Sequence, residues 1–263
     1  MSESWATGTA ARQAIRSGEW QGPTAGLAPG YVQANLVILP QAHASDFARF
    51  CARNPKPCPV LDVAAPGSPH PNADWAQGAD LRRDLPRYHV YRQGQVISEL
   101  TDIDSHWRED SVAFLLGCSF TFEQALVSAG LPIRHLECGC NVPMFRTDSQ
   151  CLRAGIFQGP LVVSMRPIPG PLVDLTVRIT SRYPTAHGAP VHIGEPAELG
   201  IPDLKHPDYG DSVPIYPGEV PVFWACGVTT QAVARASRVP RMITHAPGHM
   251  FITDRLCTDL EST

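Results

Sequence analysis

Lysine is almost absent from this chain of 263 residues, because Lys56 and Lys205 are the two lysines among 21 basic residues. The formal net charge is −4, so the chain also lacks an excess of positive charge. Proteins that bind nucleic acid usually present a basic face, and this balance argues against that class. The abundant arginines suit carboxylates or phosphates, although an arginine-rich codon usage explains the same composition.

Long hydrophobic runs are missing too. Residues 1–21 contain no apolar core of a signal peptide, and the longest strongly apolar run, Val112 to Leu116, is too short to span a bilayer. The eight cysteines include no C-x-x-C pair, only Cys138-Gly139-Cys140, so their spacing does not fit zinc. We predict a cytoplasmic protein with reduced cysteines and no membrane partner.

Apolar periodicity and turn residues predict the elements of the chain. Predicted helices cover residues 9–17, 46–53, 122–129 and 230–237. Predicted strands cover residues 32–39, 87–92, 95–100, 111–116, 133–136, 161–165, 175–181 and 220–225, with a last pair flanking 245–248. Residues 55–86 contain seven prolines and predict a long irregular connection, which is more often a functional lid or wrap than an idle linker.

These elements predict an α/β fold, namely a mixed sheet with helices on its faces plus a smaller α+β subdomain. We place the first part of the main domain at residues 1–132, the subdomain at 133–218 and the return to the main domain at 219–263. The sequence shows no repeat.

The segment that attracts most interest is the corner Gly117-Cys118-Ser119, where a buried strand turns into a helix. Unpaired N–H groups and the helix dipole favour an anion there, and Glu123 adds a carboxylate. Thr121 and Gln124 fit a capping box for this helix. Cys118 could act as a nucleophile with a lowered pKa, but the hydrolase pattern G-x-S-x-G is not matched.

A second corner, Cys226-Gly227-Val228-Thr229, repeats the order of strand, cysteine, turn and hydroxyl. We hypothesise that the two helix starts face one ligand and hold two anionic groups. Two ordinary capped helices with buried cysteines explain the same pattern.

Three arginines are candidates for clamping a carboxylate with two hydrogen bonds. Arg166 and Arg182 are predicted at the ends of strands, and Arg146 follows Asn141 in a loop that proline constrains. Each could instead form a structural ion pair.

Three histidines lie in segments rich in glycine and proline. His187, His192 and His245 could supply a general base or, in the plainer reading, bond to backbone. They do not have the helical spacing of H-E-x-x-H, so the sequence predicts no dedicated metal site.

Taken together, these motifs resemble a bacterial hydro-lyase family that is related to the mitochondrial D-glutamate cyclases. The resemblance runs from about Ala11 to Asp254. The usual family form of the first corner has Ser where this chain has Thr121, a change that keeps the hydroxyl. The motifs that carry the resemblance are Gly22-Pro23-Thr24-Ala25-Gly26, Asn54-Pro55-Lys56-Pro57-Cys58-Pro59, Gly117-Cys118-Ser119-Phe120, Asn141-Val142-Pro143-Met144, Ser164-Met165-Arg166-Pro167, His187-Gly188-Ala189-Pro190-Val191-His192-Ile193-Gly194 and Trp224-Ala225-Cys226-Gly227-Val228-Thr229.

The resemblance implies a carbon–oxygen lyase of amino-acid metabolism that converts D-glutamate into 5-oxo-D-proline and water. For this reaction we assign the α-carboxylate to Arg166 or Arg182, and the reacting carboxyl to the backbone around Cys118 and Ser119. Proton transfer is assigned to Glu123, His187 or His245. The remaining predicted substrate contacts are Thr24, Asn141, Arg146, His192, Cys226 and Thr229.

Two other functions stay open at this point. A dehydratase of a hydroxy or amino acid would share the carboxylate clamps and often uses a metal, so Mn²⁺ or Mg²⁺ stays open as a cofactor. A non-catalytic protein that binds a small acid would bind without turnover. The predicted ligand is a small dicarboxylate or amino acid, and assembly into a homo-oligomer stays open.

Overall fold

The computed structural model describes residues 5–262. Its strands are β1 Tyr31–Pro40, β2 Val60–Val63, β3 Tyr88–Arg92, β4 Gln95–Leu100, β5 Ser111–Gly117, β6 Met144–Gln150, β7 Pro160–Pro169, β8 His192–Ile193, β9 Glu219–Ala225, β10 Arg241–His245 and β11 Phe251–Leu256. Its helices are α1 Gly8–Arg16, α2 Gln41–Arg53, α3 Phe120–Ser128, α4 Arg134–Cys138, α5 Val173–Ser181 and α6 Thr229–Ala236.

The strands form two sheets in which the described pairs are antiparallel. The first sheet has seven strands in the order β2-β5-β1-β10-β3-β4, with β11 also paired to β1. The second sheet has four strands in the order β6-β7-β9-β8. Helices cover one face of each sheet, so the predicted α/β class is confirmed. Within residues 5–262, no helix is long and apolar enough to cross a membrane.

Two predicted strands are wrong. Residues 133–136 and 175–181 fall in the helices α4 and α5. The β-branched residues of the second segment favour a strand, but tertiary packing overrides that weak preference. Thr176 and Thr180 donate their hydroxyls to the carbonyls of Leu172 and Thr176, which satisfies these side chains inside the helix.

The predicted capping box at the first corner is also wrong. Ser119 is the N-cap residue of α3, and no side chain of the described residues caps this helix. The hydroxyl of Thr121 lies instead 3.4 Å from both the backbone nitrogen and the carbonyl oxygen of Gln33 on β1. The predicted strands over 32–39, 111–116, 161–165 and 220–225 and the hairpin at Gln93-Gly94 are confirmed.

A structural repeat relates two parts of the chain, although the sequence shows none. Residues 31–128 and 160–236 each run in the order of strand ending in proline, helix, short strand, strand and helix, and the first repeat also carries the hairpin of β3 and β4 before its last strand. The registers of the two central pairs agree, because β1 and β5 begin pairing at Pro40 with Ser111 and β7 and β9 at Pro169 with Glu219. The short strands β2 and β8 flank β5 and β9 in the same way.

The two repeats exchange their last helices. Val233 of α6 packs with Phe47 of α2 against the first sheet, although α6 follows a strand of the second. In the second sheet, Phe122 of α3 packs with Ile179 of α5 against Trp224. Each corner therefore links one sheet to a helix buried on the other, which brings both corners to the junction of the sheets.

The strands of the second sheet span residues 144–225, because β9 belongs to that sheet. The chain returns to the first sheet only at β10. Residues 219–225, which we assigned to the returning main domain, thus lie in the second sheet. The division of the chain into domains at 132 and 218 otherwise stays a prediction.

Candidate active site

The two corners approach each other around a single side chain, Asn35 on β1. Its amide nitrogen donates to the carbonyl oxygen of Gly117 at 2.5 Å. A Cβ added to Gly227 would lie 2.2 Å from the same amide group. At the first corner, a Cβ on Gly117 would lie 1.7 Å from the carbonyl oxygen of Thr185. Both corners therefore require glycine because neighbouring groups approach the backbone closely.

The cysteines of the two corners lie in one apolar cluster, where Cys118 and Cys226 pack with Met144 and Met250. Burial raises the pKa of Cys118 far above its usual range, although the backbone N–H of Phe120 lowers it. Burial likewise raises the pKa of Cys226 to about 11. The predicted lowering of the pKa of Cys118 is therefore wrong, and its thiol stays protonated near neutral pH.

A buried polar cluster stands behind the first corner. Arg166 is fully buried, and its Nε donates to Glu123 Oε1 at 3.0 Å. Its Nη2 donates to the same oxygen and, at 3.0 Å, to the hydroxyl of Ser119. Its Nη1 donates to Ser164 at 3.2 Å. Arg166 lies inside β7 and not at a strand end as we predicted, because the strand continues to Pro169.

His135 on α4 completes this cluster, and sequence reasoning missed it. Its Nε2 lies 3.1 Å from Glu123 Oε1, its ring stacks on Phe120 with centroids 6.0 Å apart, and it is 1% exposed. Burial raises the pKa of Glu123, but the charges of His135 and Arg166 outweigh burial and lower it to about 2. Glu123 therefore stays ionised at neutral pH.

A buried histidine lies beside each corner. His187 follows the segment that covers Gly117, and its Nδ1 lies 2.6 Å from the carbonyl oxygen of Lys56. Burial lowers the pKa of His187 to about 4. His245 lies beside the second corner, where its carbonyl accepts from Gln231 Nε2 at 2.8 Å, and burial lowers its pKa to about 3. Both imidazoles are neutral at pH 7.

Thr24 and Asn141 hold the loop after His245 against the corners. The hydroxyl of Thr24 donates to the carbonyl of Gly248 at 3.1 Å and accepts from the N–H of Met250 at 2.9 Å. Asn141 Nδ2 donates to the carbonyl of Pro247 at 3.1 Å. The Oδ1 atom of Asn141 is buried and has no partner within residues 5–262.

The threonines of the corners occupy equivalent positions. The hydroxyl of Thr229 accepts from the N–H of Val162 at 3.0 Å and lies 3.3 Å from its carbonyl oxygen. Thr121 makes the same pair of contacts to Gln33, as described above. Both hydroxyls are engaged with backbone, so neither is free to bind a ligand without breaking a contact.

Three predicted site residues lie outside the cluster. Arg146 is exposed on β6 and pairs with Asp208 at 2.7 Å. Arg182 follows the end of α5, a helix where we predicted a strand, and pairs with Glu261 at 2.6 Å. His192 is half-buried and its Nε2 lies 2.8 Å from the carbonyl oxygen of Glu195. Their predicted roles stay predictions.

The cluster combines a buried cation, an ionised carboxylate, a hydroxyl and an imidazole at a helix start. Such groups can fix a carboxylate, stabilise negative charge and transfer protons. No group of three or more His, Cys, Asp or Glu side chains suited to a metal ion occurs in the described part of the chain. Mn²⁺ or Mg²⁺ as a cofactor stays a prediction.

Comparison with known proteins gives the family of the chain. The profile of a family described as D-glutamate cyclase matches residues 112–254. A protein named "Putative hydro-lyase" from Geobacillus kaustophilus is 61% identical over 244 residues, which cover 93% of this chain and 92% of that relative. A protein of the same name from Rubrobacter xylanophilus is 60% identical over 251 residues, which cover 95% of this chain and 96% of that relative.

The chain therefore belongs to the D-glutamate cyclase family, and its relatives carry the name of hydro-lyases. The predicted family is confirmed, and with it the class of carbon–oxygen lyase at the level of the family. A solved structure of a nitrogen repressor-like protein from Methanococcus jannaschii covers 89% of this chain and 90% of its own, at 8% identity and a TM-score of 0.38. That likeness is too low to bear on function.

Proposed function

We propose that this protein converts D-glutamate into 5-oxo-D-proline and water, or catalyses a closely related dehydration of a small carboxylate. The observation that carries the proposal is the buried cluster of Arg166, Glu123, Ser119 and His135 at the first corner. All four residues lie within the segment 112–254 that matches the D-glutamate cyclase family.

In the proposed reaction, the amino nitrogen of the substrate attacks its side-chain carboxyl carbon. A C–N bond forms, a C–O bond breaks and the oxygen leaves as water. The step needs a base for the ammonium proton, an acid for the leaving oxygen and donors for the oxyanion. It also needs the open chain folded so that both ends meet.

The geometry of the cluster suggests how these roles are divided. Glu123 is a poor base, because its pKa of about 2 keeps it ionised. It is better suited to orient Arg166 and His135, as a carboxylate orients the histidine of a catalytic triad. His135 Nε2 lies 3.1 Å from Glu123 Oε1 and forms no hydrogen bond within residues 5–262, so this imidazole is the proposed group that exchanges a proton. Ser119 and the N–H groups at the start of α3 are the proposed donors to the oxyanion.

The charge of Arg166 is already matched by Glu123, so the substrate's carboxylates need further donors. The start of α6 at the second corner is the proposed second donor, because Cys118 and Cys226 lie in one cluster. A substrate with two carboxylates fits two helix starts that converge.

The test is incubation of the purified protein with D-glutamate and, separately, with L-glutamate, following 5-oxoproline by chromatography with and without Mn²⁺. Product from D-glutamate supports the proposal, and no product from either enantiomer overturns it. Ser119→Ala is expected to lower kcat/KM about 100-fold, in the range for loss of one oxyanion donor. Arg178→Gln is the matched control outside the cluster, because Arg178 is exposed on α5, and it is expected to keep full activity.

A further inference from the structure

A cleft lies on the first sheet, at the end of the strands far from the two corners and on the face that carries Val90. Its volume is about 380 Å³. Three arginines from separate segments line it, namely Arg92 at the end of β3, Arg108 before β5 and Arg241 at the start of β10. None of the eleven residues that line it is acidic.

Two other clefts of the described residues contain aspartates beside their arginines, and in a third the arginines are engaged by neighbouring groups. One cleft has Arg16 and Arg83 together with Asp102 and Asp104. Another, which holds Arg146, contains three aspartates. In the cleft formed by Arg49, Arg53 and Arg153, the guanidinium groups bond to Asp46 and to the carbonyl oxygens of Arg153 and Gly155.

The strand register places two of the arginines in direct opposition. Arg92 and Arg241 are Cα partners across the antiparallel pair of β3 and β10. Like charges directly opposite each other destabilise a sheet, so this pairing costs free energy unless an anion lies between the side chains.

The positive charge is only partly neutralised. Arg241 Nη2 pairs with Asp110 at 2.6 Å, but its Nη1 is buried and has no partner within residues 5–262. The side chains of Arg92 and Arg108 form no ion pair with any residue of that range. At least two guanidinium groups are therefore available to a ligand.

We propose that this cleft binds an oxyanion of the phosphate class, either free phosphate or the phosphate group of a small organic ester. Planar guanidinium forks suit phosphate oxygens, and several of them favour a dianion over a single carboxylate. Ile97, which is 46% exposed, and Pro240 form an apolar part of the lining that an ester's organic group would cover. The site is separate from the first corner and independent of the proposed cyclisation.

The test uses isothermal titration of the intact protein at fixed ionic strength with inorganic phosphate, glycerol 3-phosphate and phenyl phosphate. Phosphate is expected to bind, and tighter binding of phenyl phosphate would identify an ester as the better occupant. Arg92→Gln and Arg108→Gln are each expected to weaken binding about tenfold, since each removes a charge-assisted hydrogen bond.

Arg178→Gln is the matched control, because Arg178 is exposed on α5 and lies outside the cleft. It should leave the affinity unchanged. A second readout is thermal: Arg92→Gln should raise the Tm without phosphate by removing the cross-strand repulsion, and phosphate should raise the Tm of the wild type more than that of the variant. Equal weakening by Arg178→Gln, or unchanged binding by both cleft variants, would overturn the proposal.

Discussion

The two strand-to-helix corners have the same backbone arrangement but differ in the chemistry of their side chains. In both, a cysteine follows the strand directly, a threonine hydroxyl contacts the backbone of a neighbouring strand, and a histidine lies buried nearby. The fold therefore uses the same corner twice.

The side chains show which corner is specialised. The repeat places Gln231 where the first corner has Glu123, and Gly227 where it has Ser119. Gln231 makes neutral bonds to Tyr91 and to the carbonyl of His245, whereas Glu123 holds a buried arginine. The backbone of the corner is therefore common to both, while the ionised cluster is a feature of the first corner alone.

The largest effect is expected from Glu123→Gln, which gives the first corner the side chain of the second. It leaves the charge of Arg166 buried without a partner, and breaking a buried pair in this way costs about 3–5 kcal/mol. The measurement is the free energy of unfolding in urea, together with the rate of 5-oxoproline formation, which should be lost.

The double variant Glu123→Gln/Arg166→Met controls for this interpretation. It removes both charges, so it should recover part of the stability but none of the activity. Equal losses from the single and double variants would show that the ion pair does not distinguish the two corners.

The next effect is a pH dependence that differs between the corners. The pKa of His187 falls from 6.5 to about 4 on folding, so the unfolded chain takes up the proton first. The stability that neutral His187 contributes is fully present above pH 6.5. It is lost as the pH falls toward 4, which lowers the free energy of unfolding by about 3 kcal/mol. The stability that His245 contributes is likewise lost as the pH falls, down to its folded-state pKa of about 3.

Glu123 changes the stability over a lower pH range, and only the first corner has such a residue. Its pKa is lowered from 4.5 to about 2, so the stability it contributes is present above pH 4.5 and is lost between pH 4.5 and 2. Urea unfolding at a series of pH values should show a shallower slope between pH 6.5 and 4 in His187→Asn. Unchanged slopes in that variant would mean that His187 is protonated in the folded protein.

The sequence predicted both corners because their signals are local. An apolar run that ends in Gly-Cys or Ala-Cys and continues into a helical pattern marks a turn whatever surrounds it. His135 was missed because α4 has five residues, too few to show a helical period, so the segment 133–136 resembled a strand. The partnership of Arg166 with Glu123 depends on the exchange of α3 onto the second sheet, and no local pattern records that exchange.

A smaller effect should separate the glycines of the corners. Gly117→Ala drives a Cβ into the backbone carbonyl of Thr185, which cannot rotate away, whereas Gly227→Ala meets the side chain of Asn35. Overpacking of this kind costs about 1–3 kcal/mol, and we expect Gly117→Ala at the upper end. Asn35→Ala should relieve Gly227→Ala and not Gly117→Ala in unfolding measurements. Relief of both would show that the two corners are crowded by the same group.

The smallest difference concerns the threonine hydroxyls. Thr229→Val leaves the buried N–H of Val162 without its acceptor at 3.0 Å, and should cost about 1–2 kcal/mol. Thr121→Val removes longer contacts of 3.4 Å to Gln33 and should cost about 0.5 kcal/mol. Urea unfolding of both variants measures the difference, with Thr121→Ser, which keeps the hydroxyl, as the control expected to match the wild type. A larger loss from Thr121→Val than from Thr229→Val would reverse this ranking and mark the first corner as the tighter of the two.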